Sequence, residues 1–108
     1  MAGLSDQDCD SALEFLLDSC EAIAGLKAEL ERSDILRKRI RRKWFLTFDG
    51  SNDVRNAHTE MQTEVHEADE RYIAAIGAYE GLKAKRELRV IQTEVYRTQE
   101  ASRRQVRP

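Results

Sequence analysis

The chain has 108 residues, 35 % of them charged and 6 % aromatic, with 18 Lys+Arg against 20 Asp+Glu and a single proline at the C-terminal end. That is one domain at most, and five glycines without sustained period-2 alternation leave too few turn signals for a sandwich or barrel. High charge with few aromatics would suit a disordered chain, but the apolar residues recur at helical spacing, so long helices are expected. No apolar run approaches the roughly 18 residues needed to cross a bilayer, and residues 1–10 are acidic. The expectation is a soluble, cytoplasmic protein without a signal or transit peptide, and with no membrane partner.

Ser5 stands just before the first periodic stretch as an N-cap, and Asp6, Asp8 and Asp10 put negative charge on the positive end of a helix dipole. A first helix is expected over about residues 5–47. Cys9, Leu13, Leu16, Cys20, Ile23 and Leu30 follow a 4-3-4-3-7 spacing, the seam of helices packed side by side, and Leu36, Ile40 and Trp44 continue it in a shifted register. Cys9 and Cys20 share a face about 16 Å apart, too far for a disulfide with each other, and read as small buried apolar side chains.

Residues 48–53, Phe-Asp-Gly-Ser-Asn-Asp, interrupt the pattern with a glycine suited to a helix C-terminus and candidate N-caps for a helix beyond it. A second helix is expected over about residues 53–103. Val54, Met61, Val65, Ala68, Tyr72, Ala75, Tyr79 and Leu82 make one seam, and Ala84, Leu88, Ile91 and Val95 continue it in another register. Gly77 and Gly81 sit where the register slips. Each costs about 1 kcal/mol relative to alanine inside a helix, so the pair marks a close helix contact, the simpler account, or a break that would give three helices.

The expected fold is therefore all-α: a single domain over residues 1–108 built as a long antiparallel two-helix hairpin, with residue i facing roughly 101 − i. Helices of this length, about 60 to 75 Å, enclose no interior. Phe15, Leu17, Leu26, Ile35, Ile73 and Val90 lie beside the seams, where one partner helix cannot cover them. The chain should oligomerise through these apolar faces or bind another helical protein, with Leu16, Ile23, Leu88, Ile91, Val95 and Tyr96 as interface candidates. Residues 97–108 are expected to project beyond the first helix and reach a neighbour.

Charge alternates in four blocks: −7 over residues 1–36, +5 over 37–58, −5 over 59–82 and +5 over 83–108. Antiparallel folding sets opposite signs side by side, which selects orientation more than it adds stability. The densest feature is Arg37, Lys38, Arg39, Arg41, Arg42 and Lys43, followed by Trp44, Phe45 and Phe48. Seven consecutive positions circle a helix, so no single acidic neighbour neutralises them all. Glu60, Glu64 and Glu67 should take two or three, leaving a basic collar to which His58 could add.

Cations beside aromatic rings and a polar turn suit single-stranded nucleic acid, where charges track phosphates and rings stack on bases. Arg37, Lys38, Arg39, Arg41, Arg42, Lys43 and Trp44 are the candidate contacts. The competing reading is a solvated basic face paired with glutamates, with the rings closing the end of the hairpin. His58 and His66 lack metal-pair spacing, and no nucleophile grouping or phosphate loop is present. No metal, cofactor or enzymatic activity is expected.

The order of residues 27–32 (Lys-Ala-Glu-Leu-Glu-Arg), the basic run 37–43, the turn 49–53 and the closing stretch 94–104 (Glu-Val-Tyr-Arg-Thr-Gln-Glu-Ala-Ser-Arg-Arg) resembles small helical proteins of tailed phages, often encoded near recombination genes. The layout is similar to the UvsY family of recombination mediators. The resemblance implies a ring-shaped oligomer on single-stranded DNA that helps load a recombinase in place of a single-strand binding protein, in the host cytoplasm. It assigns residues 37–43 to DNA contact and the apolar faces and C-terminal segment to assembly. The turn departs from that pattern: Asp49 and Asp53 stand where a DNA-tracking loop would carry lysine or arginine. The expectation is a non-enzymatic, homo-oligomeric single-stranded DNA binding protein. The alternative is a structural or interaction module, an adaptor or an inhibitor of a host enzyme, indifferent to nucleic acid.

Overall fold

The computed structural model describes residues 3–106, and within them the chain is all-helical, without a strand. The helices are α1 (Asp6–Asp18), α2 (Cys20–Thr47), α3 (Asn52–Glu60) and α4 (Thr63–Val106). They form two compact units, Met1–Ala24 with Glu80–Pro108 and Gly25–Tyr79, so that α2 and α4 each contribute to both. Arg107 and Pro108, the end of the stretch expected to project, lie outside the described residues. No described helix is long and apolar enough to cross a membrane.

In the first unit α1 opens on a capping box. Ser5 Oγ accepts from the Asp8 N–H at 3.1 Å and Asp8 Oδ2 accepts from the Ser5 N–H at 3.0 Å, satisfying two donors that the helix leaves unpaired. The single first helix expected from the periodicity is interrupted at Ser19. Its hydroxyl and its N–H both donate to the Phe15 carbonyl, at 2.7 and 3.0 Å, the back-bonding by which serine disturbs a helix interior. Arg86 of α4 then donates to the Leu16 carbonyl at 2.7 Å and to Ser19 Oγ at 2.5 Å, fixing the interruption. Further along, the Tyr96 hydroxyl donates to Asp6 and the Leu4 N–H to Gln99 Oε1. α4 thus runs antiparallel to α1 in this unit.

In the second unit Gly50 adopts φ +115°, a left-handed conformation that favours glycine, and Ser51 caps α3. α3 ends at Met61, where Gln62 leaves the helical path and its carbonyl accepts from Val65 and His66 to start α4. Arg71 bonds Glu29 and Lys43 bonds Glu64, so α4 is antiparallel to α2 here too. The expected second helix is therefore divided at residues 61–62. It is not divided at Gly77 and Gly81, through which α4 runs uninterrupted.

The buried seam is made of small side chains. Cys9, Ala12, Ser19 and Thr93 are buried in the first unit, and Ser33, Thr59, Val65, Ala68 and Ala75 in the second. Val65, Ala68 and Ala75 lie where the sequence placed them, whereas Val54 and Met61 of the same expected seam, and Ala84, Leu88, Ile91 and Val95 of its continuation, are exposed. The first-helix seam holds at Cys9, and Leu16, Ile23 and Leu30 are half-buried, but Leu13 and Cys20 are exposed and the buried line passes one position earlier, through Ala12 and Ser19. Helices that touch through alanine and serine approach closely, and the neighbouring leucines fall outside the contact. Glycine has no part in this approach, because a Cβ at Gly25, Gly77 or Gly81 would meet nothing within 4 Å. The close contact expected at Gly77 and Gly81 within one chain is absent.

Candidate functional site

The basic run occupies the C-terminal half of α2, in the second unit, and its members meet different fates. Arg37 and Lys38 are both held by Asp34 of the same helix, at 2.7 and 3.0 Å, and the Arg37 guanidinium also lies 4.2 Å over the Tyr72 ring. Arg41 reaches from α2 to Glu60 of α3 and, at 2.5 Å, to Asp69 of α4. These two carboxylates hold its guanidinium above the ordinary range, Glu60 contributing most. Lys43 bonds Glu64 at 2.8 Å, and Trp44 Nε1 donates to the same carboxylate at 3.0 Å. Glu60 and Glu64 each take a cation of the run as expected, Glu60 in the hairpin register and Glu64 with Lys43 instead of Arg37, whereas Asp69 takes the part expected of Glu67.

Trp44 is half-buried and continues into a ring stack, with Phe48 at 6.1 Å and His58 a further 4.8 Å on. Arg55 lies over Phe45 and donates to the Phe48 carbonyl at 2.7 Å. These rings close the turn end, so Trp44 is committed to internal contacts through both its indole nitrogen and its face. His58 belongs to this stack as well.

Arg39 and Arg42 are exposed, and neither has an ion-pair partner among the described residues. With Arg32, Ile35 and Leu46 they follow a 3-4-3-4 spacing, which puts all five on one outer face of α2. Ile35 is 50 % and Leu46 65 % exposed, so uncovered apolar surface flanks the Arg39–Arg42 pair on both sides. Arg39 lines a shallow groove with Arg32, Leu36 and Arg71, and Glu29 bonds both Arg32 and Arg71 at its edge. Over residues 25–79 basic and acidic side chains are equal in number, ten of each. The cationic surplus is therefore local to this face.

The interface candidates divide similarly. Leu16, Ile23 and Ile91 come together in a groove of about 520 Å³ in the first unit, bordered by Arg86, Glu87 and Glu94. Leu88 and Val95 are exposed on the outer side of α4. Tyr96 turns inward to Asp6, whose carboxylate holds the phenol protonated, its pKa pushed up to about 12.

Several carboxyls are depressed by their partners: Asp8 by the Ser5 N–H, Glu29 chiefly by Arg71, Asp34 chiefly by Lys38, and Glu64 chiefly by Lys43. A carboxyl lowered in the folded state binds fewer protons there than in the unfolded chain. Its stabilisation is complete above the ordinary values of 3.8 for Asp and 4.5 for Glu, and is lost as pH falls through the lowered folded values. The melting temperature should hold level from about pH 7 to about pH 5 and fall below about pH 4.5. A melting temperature constant down to about pH 3 would contradict these pairings.

Against known proteins, no family model matches the chain, and neither do curated proteins or solved structures.

Proposed function

We propose that this chain is a non-enzymatic, single-stranded DNA binding protein of the recombination-mediator type that acts as a homo-oligomer, repeating the Arg39 and Arg42 face of α2 from subunit to subunit. The observation that supports it is the state of those two arginines: exposed, without acidic partners among the described residues, on one face, and flanked by the exposed Ile35 and Leu46. Two free cations bind a phosphate chain weakly. Linking several such faces raises apparent affinity by orders of magnitude without new contacts, so assembly is part of the reading.

A second reading, a helical adaptor or inhibitor indifferent to nucleic acid, has its own support. Four of the six run cations are spent on Asp34, Glu60, Asp69 and Glu64, and the rings that could stack on bases are stacked on one another. Fluorescence anisotropy with labelled oligo(dT) at about 50 mM salt separates the two, because phosphate contacts are strongest at low salt. Saturable binding is expected. A chain that ignores the oligonucleotide there contradicts the DNA reading.

A further inference from the structure

On α4, within the first unit, Gly81, Ala84, Leu88, Ile91, Val95 and Thr98 follow a 3-4-3-4-3 spacing close to the a and d positions of a heptad, and all six are exposed. Leu88 and Ile91 are 55 % and 54 % exposed. Most of the packing of their own unit is on the opposite side of the helix, where Arg86, Arg89, Thr93 and Tyr96 are half-buried or buried, while Ile91, Glu87 and Glu94 at the edge of the seam also border the groove with Leu16 and Ile23. Gly81 makes sense on such a seam. Its missing Cβ relieves no crowding within the chain, since nothing lies within 4 Å of that position, yet it lets another helix come near.

The flanks decide what that helix is. One side of the seam carries Glu80, Glu87 and Glu94, seven residues apart, and the other carries Lys85, Gln92 and Gln99 at the same interval. None of the three glutamates has an ion-pair partner among the described residues. In a parallel, in-register coiled coil each flank faces the opposite flank of the partner, with a shift of five residues. A second copy then sets Glu80 against Lys85, Glu87 against Gln92 and Glu94 against Gln99, so that every carboxylate meets an ammonium or amide donor. An antiparallel copy would set one glutamate row against the other.

We infer that α4 pairs in parallel and in register with α4 of a second copy of this chain through the Gly81 to Thr98 seam. This deepens the assembly half of the proposed function and is independent of its nucleic-acid half. The test is oxidative cross-linking of the full chain without DNA, in a Cys20→Ser background. Ala84→Cys and Val95→Cys, prepared separately, should each form a covalent dimer with themselves, while Arg97→Cys, off the seam, should not. Glu80→Lys should reduce the Ala84→Cys dimer several-fold, and adding Lys85→Glu should restore it. Cross-linking only when the Ala84→Cys and Val95→Cys chains are mixed would overturn the parallel arrangement. A chain that neither cross-links nor exceeds monomer mass in light scattering would overturn the pairing altogether. Oligo(dT) binding could persist in either case, so this failure is distinguishable from failure of the DNA reading.

Discussion

Ala12→Leu is expected to lower the melting temperature by roughly 10 to 20 °C, a loss of about 3 kcal/mol for a chain of this size. Ala12 has no exposed surface and lies on α1 between the Asp6–Tyr96 and Leu16–Arg86 contacts. A leucine there has no cavity to fill. It must push α4 away, which would disturb the Arg86 bonds to the Leu16 carbonyl and Ser19 at one end and the Tyr96 bond at the other. Ala68→Leu should behave alike in the second unit. Leu17→Ala, at a side chain 74 % exposed, should change stability by no more than about 0.5 kcal/mol. Small-to-large changes should thus cost more than large-to-small ones, the reverse of a leucine-filled core. Thermal melts followed by circular dichroism at 222 nm decide this, and equal effects at Ala12 and Leu17 would contradict the small-residue seam.

Replacing Arg39 and Arg42 together with alanine should weaken oligo(dT) binding by about tenfold or more, since each exposed phosphate contact contributes on the order of 1 kcal/mol and the loss recurs in every subunit. The fold should be untouched, because neither side chain holds an ion pair among the described residues. Arg41→Ala is the informative comparison. That side chain is spent on Glu60 and Asp69, so its removal should cost about 1 kcal/mol of stability while changing binding little. If Arg41→Ala weakens oligo(dT) binding as much as the double substitution does without loss of stability, the division of the run into spent and free cations is wrong.

The helical class, the Ser5 cap, the turn at Gly50 and the pairing of Glu60 and Glu64 with the basic run were all legible, because each depends on local spacing or on a simple antiparallel register. Which face turns inward was not. From Cys9, which both share, one stripe runs through Leu13 and Cys20 and another, one position earlier, through Ala12 and Ser19. Periodicity cannot rank the two when helices approach through small side chains. At the stop at Ser19, Arg86, 67 residues away, donates to the Ser19 hydroxyl and to the Leu16 carbonyl, a long-range contact that local spacing does not reveal. Asp34 was within reach of a closer reading, since it stands three and four residues before Arg37 and Lys38, the spacing of helical ion pairs. The hairpin register directs attention to partners across the turn, and the carboxylate on the same helix escapes it. Gly77 and Gly81 pointed to a close approach, and the surface they leave open faces outward from the chain.

In the proposed DNA binding, Arg39 and Arg42 are the cations of the basic run left to meet phosphate. The most direct test is the salt dependence of oligo(dT) affinity for the unsubstituted chain and for the Arg39→Ala, Arg42→Ala variant. Each phosphate neutralised on a single strand contributes about −0.7 to the slope of log affinity against log salt. The slope should become shallower by about 1.4 for each subunit that touches the strand. An unchanged slope, with both chains binding alike, would show that phosphate is held elsewhere and would contradict the account.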